Sequence, residues 1–298
     1  MSSLNPNKLV NTLRAIEASQ TDRDDDGEWW AGRSVSEEYQ TAYNNITNRL
    51  SLTKESIVGE FCCGTGEILI RIHGKGIKKA IGIDRSTAML ERAMRNLEKR
   101  GIPARIHEAP PKSRKSFKTI LNDSKTIDLF IDDAIETRFV LGHYAKNPYF
   151  SHVLHVLPQV ALSKQQAAFI LSRIPNADKL PINFIKNALD AAVNQRIDYN
   201  AYVILKAGGY YTHAFYDYGL DDAFPSDLQT LAIYPAARKV FNPAGLKFFP
   251  EPRVEQDLRR FNDNLKPEQP LGEGFKDLSY GYMVRTWKKK EGQRVSVV

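Results

Sequence analysis

The chain has 298 residues, 42% of them hydrophobic, and 42 Lys and Arg against 35 Asp and Glu give a net charge of +7. That length buries one large core, or one core plus a sizeable insertion, and two adjacent cysteines, Cys62 and Cys63, exclude a zinc site or a disulfide framework and fit a reduced, cytoplasmic interior. Residues 1–20 lack the apolar core of a signal peptide, and no apolar stretch approaches the roughly 20 residues that span a bilayer, so no membrane association is expected.

Residues 1–50 read as a helical N-terminal cap. Leu9, Val10, Leu13 and Ile16 recur at helical spacing, and residues 21–27 form an acidic connection. Trp29 and Trp30 follow, and a helix predicted from Ser36 to Leu50 carries Tyr39 and Tyr43 on one face. Two tryptophans beside a polar linker are costly to expose, so they cover something. The plain expectation is that they pack the cap on the core. The sharper one is that Trp29, Trp30, Tyr39 or Tyr43 closes over a cofactor or substrate.

The chain is organised around residues 57–90. An apolar run, Ile57-Val58-Gly59-Glu60-Phe61, stops at Cys62-Cys63-Gly64-Thr65-Gly66. A helix-compatible segment from Glu67 to Gly74 comes next, and a second apolar run, Ala80 to Ile83, ends at Asp84, 18 residues after Gly66. Gly64 and Gly66 let the backbone take positive φ and let a ligand approach the main chain. The amides that open the next helix then face the ligand, and an acid ending the second strand can accept both hydroxyls of a ribose. The unit predicts a nucleoside-containing cofactor.

Which cofactor depends on what is missing. A dinucleotide fingerprint wants a third glycine where Leu69 stands, and a phosphate-binding loop wants Gly-Lys-Ser/Thr where the chain has Gly66-Glu67-Ile68. Glu60, six residues before Gly66, and the shortened glycine turn resemble motif I of the class I S-adenosylmethionine (SAM)-dependent methyltransferases. That family's pattern is acid-x-Gly-x-Gly-x-Gly, and Cys62 stands at its first glycine.

The resemblance implies an α/β fold: a seven-stranded, mostly parallel, doubly wound sheet with a C-terminal antiparallel hairpin, filling residues 51–298. It implies SAM as cofactor, held by Glu60, Cys62, Gly64, Thr65 and Gly66. Asp84 is then the ribose ligand, with Arg85 and Ser86 beside the adenosine. Read without the resemblance, an acid after a strand is often only the N-cap of the next helix, a role Ser86 could fill equally well. The helix from Thr87 to Lys99 ends at Gly101, a normal C′ residue. Ala104 to Ala109 reads as a short third strand, after which the family recognises adenine with an acid and a small residue, here Glu108 and Ala109.

Residues 110–124 are basic and turn-rich, hence expected to be exposed. Thr126 to Asp133 reads as the fourth strand, apolar enough to be central. At its carboxyl end, where open α/β sheets bind ligands, stand Asp132 and Asp133. Base-amino methyltransferases commonly carry Asn/Asp-Pro-Pro-aromatic there. This chain reads Asp132-Asp133-Ala134-Ile135, so that chemistry loses support. Paired aspartates could instead hold a divalent metal, but no third oxygen ligand stands at a telling spacing, and no metal is expected.

Residues 136–181 exceed what a crossover needs. With Phe150–Leu157 and Ala167–Leu171 read as apolar and helical in period, they form a helical insertion between strands 4 and 5, a substrate lid or a dimer contact. His152 and His155, one helical turn apart, read as packing residues. A helix over residues 182–201 leads to Leu205-Lys206-Ala207-Gly208-Gly209, a further landmark of the family, and to a fifth strand with Tyr211, His213, Phe215 and Asp217 on one face. Leu246–Phe249 and Tyr280–Trp287 supply the closing hairpin.

Methyl transfer chiefly requires in-line alignment, and a base only if the acceptor is protonated. His143 and His213 are the candidates, with Asp217 or Asp132 able to orient or substitute. Three functions fit. A small-molecule methyltransferase suits the aromatic cap, the apolar insertion and the missing base-amino motif. An RNA or protein methyltransferase suits the positive charge, although the basic clusters at 112–118, 259–260 and 288–290 are short, lack interleaved aromatics and read as solvated faces and a tail. A non-catalytic SAM-binding module is the third.

Overall fold

The computed structural model describes residues 32, 34–156, 196–197, 200–217 and 281–289. The chain divides into two compact units, one of Met1–Asp25, Gln159–Asp198 and Leu220–Glu255, the other of Asp26–Pro158, Tyr199–Gly219 and Gln256–Val298. Apart from residues 196 and 197, everything described belongs to the second unit.

That unit begins with helix α1 (Glu37–Arg49). It continues through β1 (Ile57–Phe61), α2 (Glu67–His73), β2 (Lys79–Asp84), α3 (Thr87–Glu98), β3 (Ala104–His107), α4 (Arg114–Asn122) and β4 (Ile127–Ile131). A 3-10 turn (Arg138–Val140), α5 (His143–Lys146), β5 (Phe150–Val156), β6 (Leu205–Asp217) and β7 (Gly281–Lys288) complete it. The seven strands form one sheet in the order β3-β4-β2-β1-β5-β6-β7. All neighbouring pairs are parallel except β6 and β7, which are antiparallel. The other predicted arm of a closing hairpin, Leu246–Phe249, lies outside the described residues.

Local chemistry accounts for the element boundaries. Ser86 and Ser113 accept from Met89 N (3.3 Å) and Ser116 N (3.1 Å), capping α3 and α4. At the far end of α3, Gly101 takes φ 71° while Ile102 N donates to Leu97 O at 3.0 Å, the left-handed stop expected of glycine.

One face of the sheet packs on α1, α2 and α3 through Tyr39, Ala42 and Ile46, Leu69 and Ile72, and Leu90 and Leu97, set against Val58, Ala80, Leu129 and Leu154. A cluster of rings covers the other face: Phe117 stands edge-on to Phe139, Tyr144 and Tyr149, and Phe139 to Phe130 and Phe150. Two strand glycines make these layers fit. A Cβ on Gly59 would meet the Phe150 ring at 2.8 Å, and one on Gly82 would meet Leu69 Cδ1 and Leu129 Cδ2 at 2.7 Å. Close helix-strand packing, which a third glycine at position 69 would have provided, is supplied by Gly82 across from Leu69.

Two expectations are corrected. Phe150–Val156 is a strand, parallel between β1 and β6, so His152 and His155 are strand residues and not neighbours on a helix. The strand is buried on both faces, which erases the alternation that would mark it. What remains of the predicted insertion, residues 157–181, lies outside the described residues. Second, residues 114–122 form α4, whose Phe117 and Leu121 are buried one turn apart under an exposed charged face. The fourth strand is central, as its apolar run predicts: β4 stands between β2 and β3, leaving β3 at the edge. The apolar β4 takes the interior place and β3, with Arg105 and His107, the border.

A charged network is buried beneath this sheet. Lys79, at the start of β2, donates to the carbonyls of Asp123 (2.7 Å) and Thr126 (2.6 Å) and pairs with the buried Asp128. His107 Nε2 reaches the other Asp128 oxygen at 2.6 Å. Asp128 and Lys79 are shielded from water, so each neutralises a charge that the other would leave stranded.

Candidate active site

From β1 the chain runs first to the β2 side of the sheet and, after β4, crosses to β5 on the opposite side. The carboxyl end of β1 is therefore the point where connections diverge and a crevice opens. β1 leads there into a turn in which Cys62, Gly64 and Gly66 have φ of 54°, 51° and 79°. Cys62 is the only non-glycine with positive φ among the described residues, a strained conformation. Cys63 N donates to Ile83 O at 3.1 Å and Gly66 N to Cys63 O at 2.9 Å, locking the turn against β2.

Asp84 completes the lock. One carboxylate oxygen accepts from Gly64 N and the other from Ser86 N, each at 2.9 Å. Ser86 caps α3 with its hydroxyl, so Asp84 is turned toward the glycine turn and away from the capping position. A carboxylate has about four acceptor positions, so each oxygen keeps one for a hydroxyl. Burial raises the Asp84 carboxyl above its ordinary range, opposed by the N–H groups of Ser86 and Gly64.

Glu60, two residues before the turn, is buried, and its Oε2 has no partner among the described residues. Burial, and then the Asp84 charge, push its carboxyl far above the carboxylate range. Thr65 and Glu67 tie the turn to the N-terminal segment. Thr65 Oγ1 donates to Ser34 Oγ at 3.2 Å, and Gln40 Nε2 to Glu67 Oε2 at 3.3 Å. Arg71 donates to the same Glu67 oxygen at 2.9 Å and to Gln40. These tethers from Ser34 and Gln40 carried no motif in the sequence. Tyr39 is buried in the core of α1, with Tyr43 edge-on to it at 5.9 Å and Arg71 over the Tyr43 ring at 5.5 Å. Burial raises the Tyr43 hydroxyl strongly, with Glu60 and Glu67 among the charges facing it. Trp29 and Trp30 lie outside the described residues.

The strand beside β2 is β4, so Asp132 and Asp133 stand next to Asp84, whose carbonyl accepts from Asp132 N at 3.0 Å. The two aspartates have different tasks. Asp132 is consumed internally: it accepts from Thr137 Oγ1 (2.6 Å), Arg138 N (2.9 Å) and Arg138 Nε (2.9 Å). Asp133 is half-buried and uses one oxygen to accept from Ile135 N at 2.8 Å. Asn200 holds the following backbone by donating to the carbonyls of Ala134 (2.7 Å) and Ile135 (2.9 Å). Glu108 and Ala109 follow the edge strand β3, one strand farther out. Arg138, which no motif announced, links the two loops by donating to Glu108 O at 3.0 Å. The acid-small pair beside the strand that ends at Asp84 is thus Asp133-Ala134. Cys62 sits among these groups: burial pushes its thiol well up, the Asp84, Asp133 and Glu60 charges add to that, and Arg85 opposes it.

The base candidates are dispersed. His143 lies on α5 with its ring 3.9 Å from that of Tyr144, inside the aromatic layer, and burial lowers its pKa. His213 is buried on β6, opposite His155 of β5 with ring centroids 4.7 Å apart. His155 is wholly buried, and burial followed by the His213 charge holds it well below the ordinary histidine range. Asp217 is the last residue of β6.

A nucleoside cofactor fits these residues. A Cβ at Gly64 would meet nothing nearer than Met89 Cε at 3.7 Å, the positive φ keeps that face bare, and Asp84 retains acceptor capacity beside it.

Residues 58–137 match the family model described as a methyltransferase domain. No curated protein matches the chain. Among solved structures, the chain is similar to an rRNA methylase from Streptococcus thermophilus, with 14% identity over 86% of this chain and 99% of that one and a TM-score of 0.41. It is also similar to magnesium protoporphyrin IX methyltransferase from Synechocystis (11% identity, 85% and 80% covered, TM-score 0.42). A third is phosphoethanolamine N-methyltransferase 2 from Haemonchus contortus (14% identity, 84% and 53% covered, TM-score 0.39). Likeness at this level says nothing of substrate. The family match begins one residue inside β1 and ends in the loop that carries Asp132 and Asp133, so the likeness to a methyltransferase domain falls on the stretch bearing the glycine turn, Asp84 and the paired aspartates.

Proposed function

We propose that the carboxyl edge of β1, β2 and β4 holds SAM and that methyl transfer takes place beside it, to a small-molecule acceptor. The observation that carries the cofactor half is the pair of hydrogen bonds by which Asp84 straps the Gly64 turn while keeping acceptor positions open. In this reading Asp84 accepts from the ribose hydroxyls, Asp133 from the adenine amino group, and the stranded Glu60 carboxylate pairs with the ammonium of the methionyl end. SAM supplies an activated methyl group on its sulfonium. The chain's part is to orient donor and acceptor and to exclude water.

A small-molecule acceptor is supported by the aromatic N-terminal residues Trp29 and Trp30 and by the sequence after β5, Leu157-Pro158-Gln159-Val160, which lacks a base-amino motif at the strand beside β1. His213, next to the penultimate residue of β5, is the acceptor-side base where one is needed. Cytoplasmic localisation and self-association through residues 157–181 remain part of this proposal.

A nucleic-acid acceptor is the second reading, favoured by the placement of charge described below. Release of S-adenosylhomocysteine, followed with a nuclease-treated metabolite extract and separately with purified total RNA, tests both. Turnover with the treated extract supports the first and turnover with RNA alone the second. SAM binding without turnover on either leaves a non-catalytic SAM-binding module.

A further inference from the structure

Residues 91–125 contain ten Lys and Arg and four Asp and Glu, so nearly all of the chain's net charge of +7 sits in this one window. The window comprises most of α3, the edge strand β3 and α4, together the β3 border of the sheet. Lys99, Arg100, Lys112, Arg114, Lys115, Lys118 and Lys125 are all exposed there. Of the four acids in the window, Asp123 pairs with Arg105 at 2.7 Å and Glu91 with Arg95 at 4.0 Å, while Glu98 and Glu108 are exposed, so the cations outnumber the acids at the surface. On α4, Phe117 and Leu121 face the core, which turns Lys115 and Lys118, one helical turn apart, to solvent. Lys112, in the loop after the carboxyl end of β3, and Arg114, the first residue of α4, begin this row at the edge of the sheet that also carries Asp84 and Asp133.

We infer that this border binds the phosphodiester backbone of a nucleic acid, with Lys112, Arg114, Lys115 and Lys118 as phosphate contacts that lead the strand toward the glycine turn. A row of point charges on flexible side chains suits a repeating phosphate chain, which it positions without reading sequence. Binding at a border separate from the Asp84 site does not depend on the cofactor. Its consequence for catalysis rests on the second reading of the acceptor.

The test is fluorescence anisotropy of a labelled 20-nucleotide single-stranded RNA on the full chain, between 50 and 200 mM KCl. About four phosphate contacts give a log-log salt slope near −3 and a loss of about fiftyfold over that range. The K112Q/K115Q/K118Q variant should bind at least tenfold more weakly at 50 mM, with the slope reduced in magnitude by about 2. The control variant K54Q/K75Q/K78Q, on the turns before β1 and β2, should bind within twofold of wild type. Equal binding by the first variant, equal loss in the control, absence of RNA binding, or binding of phosphatidylserine vesicles in preference to RNA would each overturn the inference. Calorimetry with SAM on the same variants keeps the two proposals apart: failure of SAM to bind wild type removes the cofactor reading and leaves the RNA result standing.

Discussion

Replacing Asp84 with Asn leaves size and shape nearly unchanged and removes a single acceptor oxygen. In the native site that oxygen takes an N–H from Gly64 or Ser86 at 2.9 Å and has room for one ribose hydroxyl. A hydrogen bond to a charged acceptor is worth about 1.5–3 kcal/mol. Losing one to the ribose, and weakening the other by neutralisation, amounts to about 2.8 kcal/mol, or about a hundredfold in affinity. The folded chain is little affected, because removing a half-buried charge offsets the lost strap. Isothermal titration with S-adenosylhomocysteine should show this rise in Kd with an unchanged thermal midpoint. Acid pH adds a second readout. The ionised carboxylate is the form that accepts hydroxyls, and burial raises its pKa. Wild-type affinity should therefore increase with pH through that raised pKa and level off above it, whereas Asp84→Asn should lack this step. A variant that binds within threefold of wild type would refute the ribose assignment.

Glu60 holds its proton in the folded chain at pH values where the unfolded chain has lost it, so stability should fall as pH rises from the ordinary value of 4.5 toward the raised pKa. Glu60→Gln should flatten that fall in urea titrations across the pH range while weakening SAM binding; an unchanged slope would contradict the burial of an unpaired acid. Lys79→Met strands the Asp128 carboxylate and removes the donor to Asp123 and Thr126. It should cost about 3–5 kcal/mol by urea denaturation, and a loss below about 1 kcal/mol would show that water reaches the pair. Cys62→Gly relieves a left-handed conformation and should stabilise the chain by about 1 kcal/mol. SAM affinity should stay within twofold, and destabilisation would mean that the thiol packs more than its strain costs.

The glycine turn and Asp84 were legible because backbone geometry imposes residue types at fixed spacing: Gly64 and Gly66 must take positive φ, and an acid must arrive where β2 ends. Other features leave weaker traces. β5 is buried on both faces, so its run of apolar residues and histidines has no alternation and passes for a helix. α4 shows only Phe117 and Leu121 amid charges, and composition alone makes it a loop. Strand order is a matter of pairing, which periodicity does not encode, so the apolar run predicted an interior place for β4 without naming β2 as its neighbour. With that pairing went the recognition that Asp133-Ala134 adjoins β2, the strand that ends at Asp84. Arg138 reaches Glu108 O in a loop 30 residues away, and Ser34 accepts from Thr65 31 residues on, contacts that carry no local pattern at all.

The most direct test of the cofactor site is a crystal structure of the chain with S-adenosylhomocysteine. The ribose hydroxyls should lie about 2.6–3.0 Å from the two oxygens of Asp84, over the bare face of Gly64. A ribose found anywhere else, or a ligand that does not bind a folded chain at millimolar concentration, would contradict it.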